Sequence, residues 1–356
     1  MNVFYSLLAV LALAAAAFAG GHSESGRMVL TEVVPYGAFA VLLGGFAWRV
    51  MRWAASPVPF HIPTTCGQQK SLDWIRPARI DNPSTGLGVM ARMAAEVLLF
   101  RSLARNHRAR VDNSRLDNSR PESSRPGGSR LILGDSAALW IASLAFHWSL
   151  AIILIRHLRL FLSPVPAFVN TLGDLDGFFQ FGTPAMYLTD VVFSAALLYL
   201  LLRRLRDPAL RYLSLFSDYF ALFLLLAIAA TGILMRYALR VDVYGVKQLA
   251  IGLATFHPAA ARDLGPLFFC HLLLVSALAA YLPFSKLMHM GGVFLSPTRN
   301  LANNSRRRRH VNPWNAPVRT HTYAEWESEF HDKLVAAGIP LDKEDGARDA
   351  GTAHSH

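Results

Sequence analysis

Apolar residues in this chain gather into long runs, separated by stretches that are strongly basic or rich in Pro, Gly and Asn. The runs cover residues 3–19, 29–48, about 138–162, 184–202, 217–235 and 264–288. Each approaches the roughly 20 residues that a helix needs to cross a hydrocarbon core. Backbone amides in a bilayer find no water, so a crossing segment must satisfy them internally, as a helix does. The pattern predicts an all-α integral membrane bundle of five to six transmembrane helices. The first run, NVFYSLLAVLALAAAAFAG, is alanine-rich and ends in small residues but lacks a basic leading region. It reads either as a retained first helix or as a cleaved signal.

The polar stretches between the runs have different characters. Residues 54–88 repeat Pro, Gly and Asn and should be irregular. VMARMAAEVLLFRSLARN then sets Val89, Met93, Val97, Leu98 and Phe100 beside Arg92, Arg101 and Arg105, which predicts an amphipathic helix lying on a membrane surface. VDNSRLDNSRPESSRPGGSR, a near-repeat of polar residues, cannot bury enough surface to order itself and reads as a disordered insertion. The tail from 291 should be irregular to about 323, where YAEWESEFHDKLVAAG predicts a short helix with Trp326 and Phe330 on one face. The chain thus divides into an N-terminal segment (1–28), a membrane helix (29–53), a basic loop (54–135), a four-helix unit (136–290) and a tail (291–356).

Composition agrees with a membrane setting and adds an orientation. Charged residues are 17% of the chain against a soluble norm of roughly 25%, and the mean hydropathy is +0.30. Residues 49–135 carry 14 Lys plus Arg against 7 Asp plus Glu, and 291–320 carry Arg299, Arg306 to Arg309 and Arg319 with no acid. The loop 203–216 is basic as well, whereas 161–183 holds Asp174 and Asp176 and no base. Lys and Arg are retained on the cytoplasmic side, which predicts a multi-pass protein with its basic loop and C-terminus in the cytoplasm. The net charge of +11 then follows from topology and anionic headgroups, and no nucleic-acid partner is needed.

Four histidines lie inside the apolar runs: His147 and His157 in one, His271 and His289 in another. A buried imidazole is costly in a bilayer and is a common ligand of transition metals. The rival reading is that each is merely hydrogen-bonded to a neighbouring helix, but four in two antiparallel helices suit the axial ligands of two stacked haems b. The ten residues from His147 to His157 span about 15 Å of helix, and the eighteen from His271 to His289 about 27 Å. Chain direction pairs His147 with His289 as the inner site and His157 with His271 as the outer one. Tilt and a kink at Pro283 must then absorb roughly 12 Å. Arg156, Arg159 and Arg236 stand near the outer helix ends, and Arg236 is the stronger candidate to neutralise haem propionates. Asp174 and Asp176 are possible proton acceptors, although loop acids are ordinarily solvated. The other histidines (His22, His61, His107, His257, His310, His321, His331, His354, His356) fall in polar stretches and have no assigned ligand role. With only Cys66 and Cys270, and no CxxCH, neither a c-type haem nor a four-cysteine iron–sulfur cluster can be built from this chain.

The 10- and 18-residue spacings resemble those of the dihaem gamma subunit of respiratory nitrate reductase. SLDWIRPARIDNPSTGLGVMARMAAEVLLFRSLARN and MGGVFLSPTRNLANNSRRRRHVNPWNAP are similar to the DsrM branch, the cytochrome b subunits of the sulfur-metabolism complex DsrMKJOP; the likeness covers most of residues 29–320, apart from the polar insertion. This resemblance implies a bacterial inner-membrane redox subunit with no independent activity, exchanging electrons with menaquinone or ubiquinone. The implied partners are a cytoplasmic iron–sulfur protein of heterodisulfide-reductase type, a periplasmic multihaem cytochrome c, a ferredoxin-like subunit, a second integral membrane subunit and, indirectly, the sulfur carrier DsrC. Other readings of the sequence are a quinol-oxidising subunit of a nitrate or heterodisulfide reductase, a proton-relay transporter, or a structural anchor.

Overall fold

The computed structural model describes residues 1–56, 68–72, 74–105, 107–112, 130–135, 137–177, 184–258, 264–303 and 320–342. Five helices are long and apolar enough to cross a membrane: α1 (Asn2–Gly20), α2 (Glu24–Ala54), α4 (Ala137–Phe161), α7 (Phe216–Leu239) and α9 (Pro266–Phe284). Between α2 and α4 lies α3 (Gly86–Leu99); α5 (Ala167–Asp176) and α6 (Leu188–Arg206) separate α4 from α7, and α8 (Val243–Ala254) follows α7. The chain continues into α10 (His289–Leu295) and α11 (Tyr323–Ala336), where Trp326 and Phe330 pair as expected, with ring centroids 6.2 Å apart. α6 carries Asp190 in its first turn and Arg203, Arg204 and Arg206 in its last, and it packs along α4 and α7 as part of the same bundle.

The first apolar run is built into this bundle. α1 packs on α7 and α9. Val10 joins Leu224 and Leu274 in one buried cluster, and Ala17 joins Phe269 and Cys270 in another. At its head, Ser6 donates to Phe216 O (2.9 Å) and Asn2 Nδ2 to Ser214 O (3.1 Å). Because the apolar sequence is nearly uniform round each helix, packing rather than amphipathic patterning selects the contact face.

Three features depart from the sequence reading. Backbone pairing joins β1 (His107–Asp112) antiparallel to β2 (Arg130–Asp135), so the insertion, expected to be disordered, is tied at both ends; RLILGD has the aliphatic, β-branched character that favours a strand. Its interior, 113–129, lies outside the described residues, as do Cys66, Trp314 and Arg306 to Arg309. The start of the tail, expected to be irregular, is helical through α10 and the short turn Pro297–Asn300.

The third departure concerns the last apolar run, which is broken rather than merely kinked. Pro283 sits in a 3-10 turn (Leu282–Phe284), Ser285 is extended (φ −115°, ψ 176°), and a second 3-10 turn, Lys286–Met288, leads into α10. The Ser285 hydroxyl accepts from Leu287 N (3.1 Å) and so starts the new turn. The break is clamped from outside by α2: a Cβ on Gly45 would stand 2.9 Å from Pro283 Cβ and 3.0 Å from Phe284 Cζ, so only glycine allows this approach.

Candidate functional site

His147 and His289 meet across this break. Their ring centroids are 6.0 Å apart at an interplanar angle of 79°. Two imidazoles bound to opposite sides of one metal ion, with bonds of about 2 Å, have centroids separated by about 6 Å. The roughly 12 Å mismatch between spacings is taken up by the change of direction at Ser285, which a straight-helix count could not foresee. His157 lies on α4 ten residues beyond His147, and His271 on α9 on the other side of the break from His289.

All four rings are held the same way. Nδ1 lies 2.7 Å from a carbonyl oxygen in three of them: Ser143 O for His147, Ile153 O for His157 and Lys286 O for His289. A carbonyl only accepts, so each Nδ1 is the protonated donor. For His271 the neighbour is Thr231 Oγ1, at 2.8 Å. That hydroxyl already donates to Ala227 O (2.8 Å) and lies 3.0 Å from Ile228 O, so it accepts from His271 Nδ1. Every Nε2 is therefore left with its lone pair, the state required of a metal ligand whose orientation is fixed by a second hydrogen bond. His22 and His257 make similar backbone bonds, so the tautomer alone is not diagnostic; the pairing inside the bundle distinguishes the four. Among the described residues no group of three or more His, Cys, Asp or Glu gathers as a multidentate metal site. The donor set fits bis-imidazole ligation of haem iron.

The surroundings suit a flat apolar cofactor. The Phe100 and Phe146 rings stand nearly perpendicular to that of His147, with centroids 4.8 and 4.7 Å from it. Gly232 faces His271, where an added Cβ would stand 3.3 Å from Cε1. Phe100 has φ +49°, a strained conformation for a residue with a side chain, and it follows directly on α3. The last carbonyls of that helix, Leu98 O and Leu99 O, accept from the indole N–H groups of Trp148 (3.0 Å) and Trp140 (2.7 Å) on α4. These bonds satisfy acceptors that a helix end otherwise leaves bare.

The α3 helix, expected to lie on the membrane surface, buries two of its charged side chains against the rest of the protein. Its Arg92 and Glu96 are 1% and 7% exposed, and its apolar Leu87 and Met90 face outward. Ser102 closes on Glu96, while Asp81 is gripped by Arg101 and Arg105. Burial alone raises the Asp81 carboxyl, but the two guanidinium hydrogen bonds more than reverse this and hold it below its ordinary value.

At the opposite end, the three arginines divide. Arg156 is committed to protein carboxylates: Nε to Asp176 Oδ2 (3.0 Å) and NH2 to Asp190 Oδ1 (2.9 Å), so it is not available for propionates. Asp176 is buried rather than solvated and also accepts from Thr189 N (2.8 Å) and Thr189 Oγ1 (2.6 Å). Asp174 stays exposed. Arg159 donates to Tyr187 OH (3.2 Å) and Arg236 to Ala185 O (3.3 Å); neither has a carboxylate within 4.0 Å among the described residues. Those two cations remain suited to an anionic ligand group. The Tyr187 ring lies between Arg156 Cζ (3.7 Å) and Arg236 Cζ (3.9 Å). Sequence reasoning missed Tyr187 and Tyr237, because a tyrosine near a helix end ordinarily reads as an interfacial aromatic.

A multi-pass helical bundle that brings histidines on two chain segments into an opposed pair is consistent with the architecture of a membrane cytochrome b. The chain belongs to the nitrate reductase gamma subunit family, whose sequence pattern matches residues 127–307. It is 44% identical over 294 residues to the Hdr-like menaquinol oxidoreductase cytochrome b-like subunit of Archaeoglobus fulgidus, covering 81% of this chain and 83% of that one. Its counterpart in Archaeoglobus profundus is 40% identical over 297 residues, covering 82% and 84% respectively.

Proposed function

We propose that the chain is the dihaem membrane subunit of a heterodisulfide-reductase-like complex, carrying electrons between a membrane quinol and a cytoplasmic iron–sulfur partner. The observation that carries this reading is the opposed His147/His289 pair, with ring centroids 6.0 Å apart and each Nδ1 turned to a carbonyl oxygen. Haem iron supplies reversible one-electron chemistry when bound. His147 and His289 hold the inner haem, and His157 and His271 the outer one. Apolar side chains exclude water around them, and Arg236, with Arg159, receives propionate charge at the outer end.

The names of the Archaeoglobus relatives support menaquinol as the diffusible donor. Assignment to the DsrM branch, with its role in sulfur metabolism, rests on the similarity of residues 71–106 and 290–317 to that branch. It brings as partners the periplasmic multihaem cytochrome c, the ferredoxin-like subunit, the second integral subunit and, through the iron–sulfur protein, DsrC. The excess of Lys and Arg in the loops supports a cytoplasmic C-terminus and α3 cap, the side on which an iron–sulfur partner would dock.

The test is a titration of the purified subunit with a non-oxidisable quinol analogue. The spectrum or potential of the His157/His271 haem shifts more than that of the inner haem. A shift confined to the inner haem, or none at saturation, contradicts a quinol site at the outer end.

A further inference from the structure

Haem ligation leaves a second feature of the outer end unexplained. Tyr237 OH donates to Asp190 Oδ2 (2.9 Å), and the Tyr237 phenolic oxygen itself accepts from Tyr187 N (2.9 Å). The other Asp190 oxygen is held by Arg156, which also holds Asp176. Buried charges in a bilayer are costly and are kept where they have a task. The backbone points to the same place: Leu234–Leu239 is a π-helical turn, an irregularity that within α-helices concentrates at functional sites. That turn carries both Arg236 and Tyr237 to Tyr187, one over its ring and the other on its backbone N–H.

We infer that Tyr237 and Asp190 form the proton-accepting pair for a hydroquinone oxidised beside His157, an inference that rests on the quinol reading above. The hydroquinone O–H donates to the Tyr237 oxygen while the proton of Tyr237 passes along its hydrogen bond to Asp190 Oδ2. One hydroquinone O–H bond breaks, one Asp190 O–H bond forms, and tyrosine is regenerated. His157 and His271 would hold a one-electron acceptor beside this pair, which would take the two electrons one at a time and pass the first on toward the inner site and the iron–sulfur partner before the second is lost. After Asp190 has released its proton to solvent at the bundle end, the second O–H follows the same route and quinone departs. The groups around Asp190 suit this cycle. Arg156 fixes one Asp190 oxygen in place (2.9 Å) and leaves the other turned to the Tyr237 hydroxyl. Asp176 is already occupied by Thr189 and Arg156.

The experiment uses the complex in native membranes, with Tyr237→Phe, Asp190→Asn and, as a control, Asp174→Asn at the exposed neighbouring acid. Haem content and dithionite-reduced spectra stay at wild-type levels in Tyr237→Phe, which keeps the ring. Menadiol-driven haem reduction falls about 100-fold or more in Tyr237→Phe and Asp190→Asn, the scale of a lost general base, and Asp190→Glu recovers part of it. In redox-induced infrared difference spectra a carboxylic C=O band appears in wild type and in Asp174→Asn and is absent from Asp190→Asn. Wild-type rates in Tyr237→Phe together with an unchanged carboxyl band in Asp190→Asn would overturn this pair while leaving the quinol reading intact. A wild-type complex that menadiol does not reduce would overturn both.

Discussion

Replacing Arg156 with leucine tests how the outer end of the bundle is held together. The Arg156 side chain is 8% exposed, and its partners Asp176 and Asp190 are 5% and 16% exposed. It contributes two carboxylate contacts, at 3.0 and 2.9 Å, and a hydrogen bond to Thr189 Oγ1 at 3.1 Å. Removing one member of a buried ion pair costs about 3–5 kcal/mol, chiefly because the other charge is stranded. Here one cation serves two anions, which places the expected loss in the upper half of that range. At roughly 2 °C per kcal/mol for a chain of this size, the unfolding midpoint falls by roughly 8–10 °C. The assay is thermal unfolding in detergent, followed by tryptophan fluorescence. A triple variant, Arg156→Leu with Asp176→Asn and Asp190→Asn, removes the stranded charges and recovers at least half of the loss. A single variant within about 2 °C of wild type, or a triple variant no better than the single one, refutes the reasoning.

Gly45→Val forces α2 away from Pro283, and because the broken segment carries His289, absorbance of the inner haem falls while that of the outer haem persists; equal loss of both indicates general misfolding instead. The depressed carboxyl of Asp81 stabilises the α3 cap at every pH above the unfolded aspartate value, and the contribution is lost as pH falls through the lower folded value. Cleavage of residues 86–105 by an acid-active protease therefore stays slow down to about pH 4 and accelerates below it, whereas Asp81→Asn gives fast cleavage at neutral pH as well. Protease applied from the periplasmic face leaves the α3 cap and α11 intact, and cleavage there reverses the proposed topology.

The hydropathy pattern made the bundle legible because bilayer crossing imposes length and apolarity on each segment separately. It also marked the four histidines, since an ionisable ring stands out in an apolar run. The break at Ser285 was not legible: Pro283 announces a distortion, but the direction the chain takes depends on Gly45, 238 residues earlier in sequence. The inward burial of Arg92 and Glu96 was hidden for a related reason. Helical spacing groups them with a polar face, and only packing of the cap against residues near Arg299 turns that face inward. Asp176 looked like a solvated loop acid because its partners, Arg156 and Thr189, come from two other helices.

Reduced-minus-oxidised spectra of the four single histidine variants test the central claim most directly. His147→Ala and His289→Ala each abolish one b-type centre, and His157→Ala and His271→Ala each abolish the other, so that two spectra suffice to describe all four proteins. Loss of one common centre in His147→Ala and His271→Ala, with the second intact, contradicts the pairing across the broken helix. Four variants that all keep the wild-type spectrum contradict histidine ligation itself.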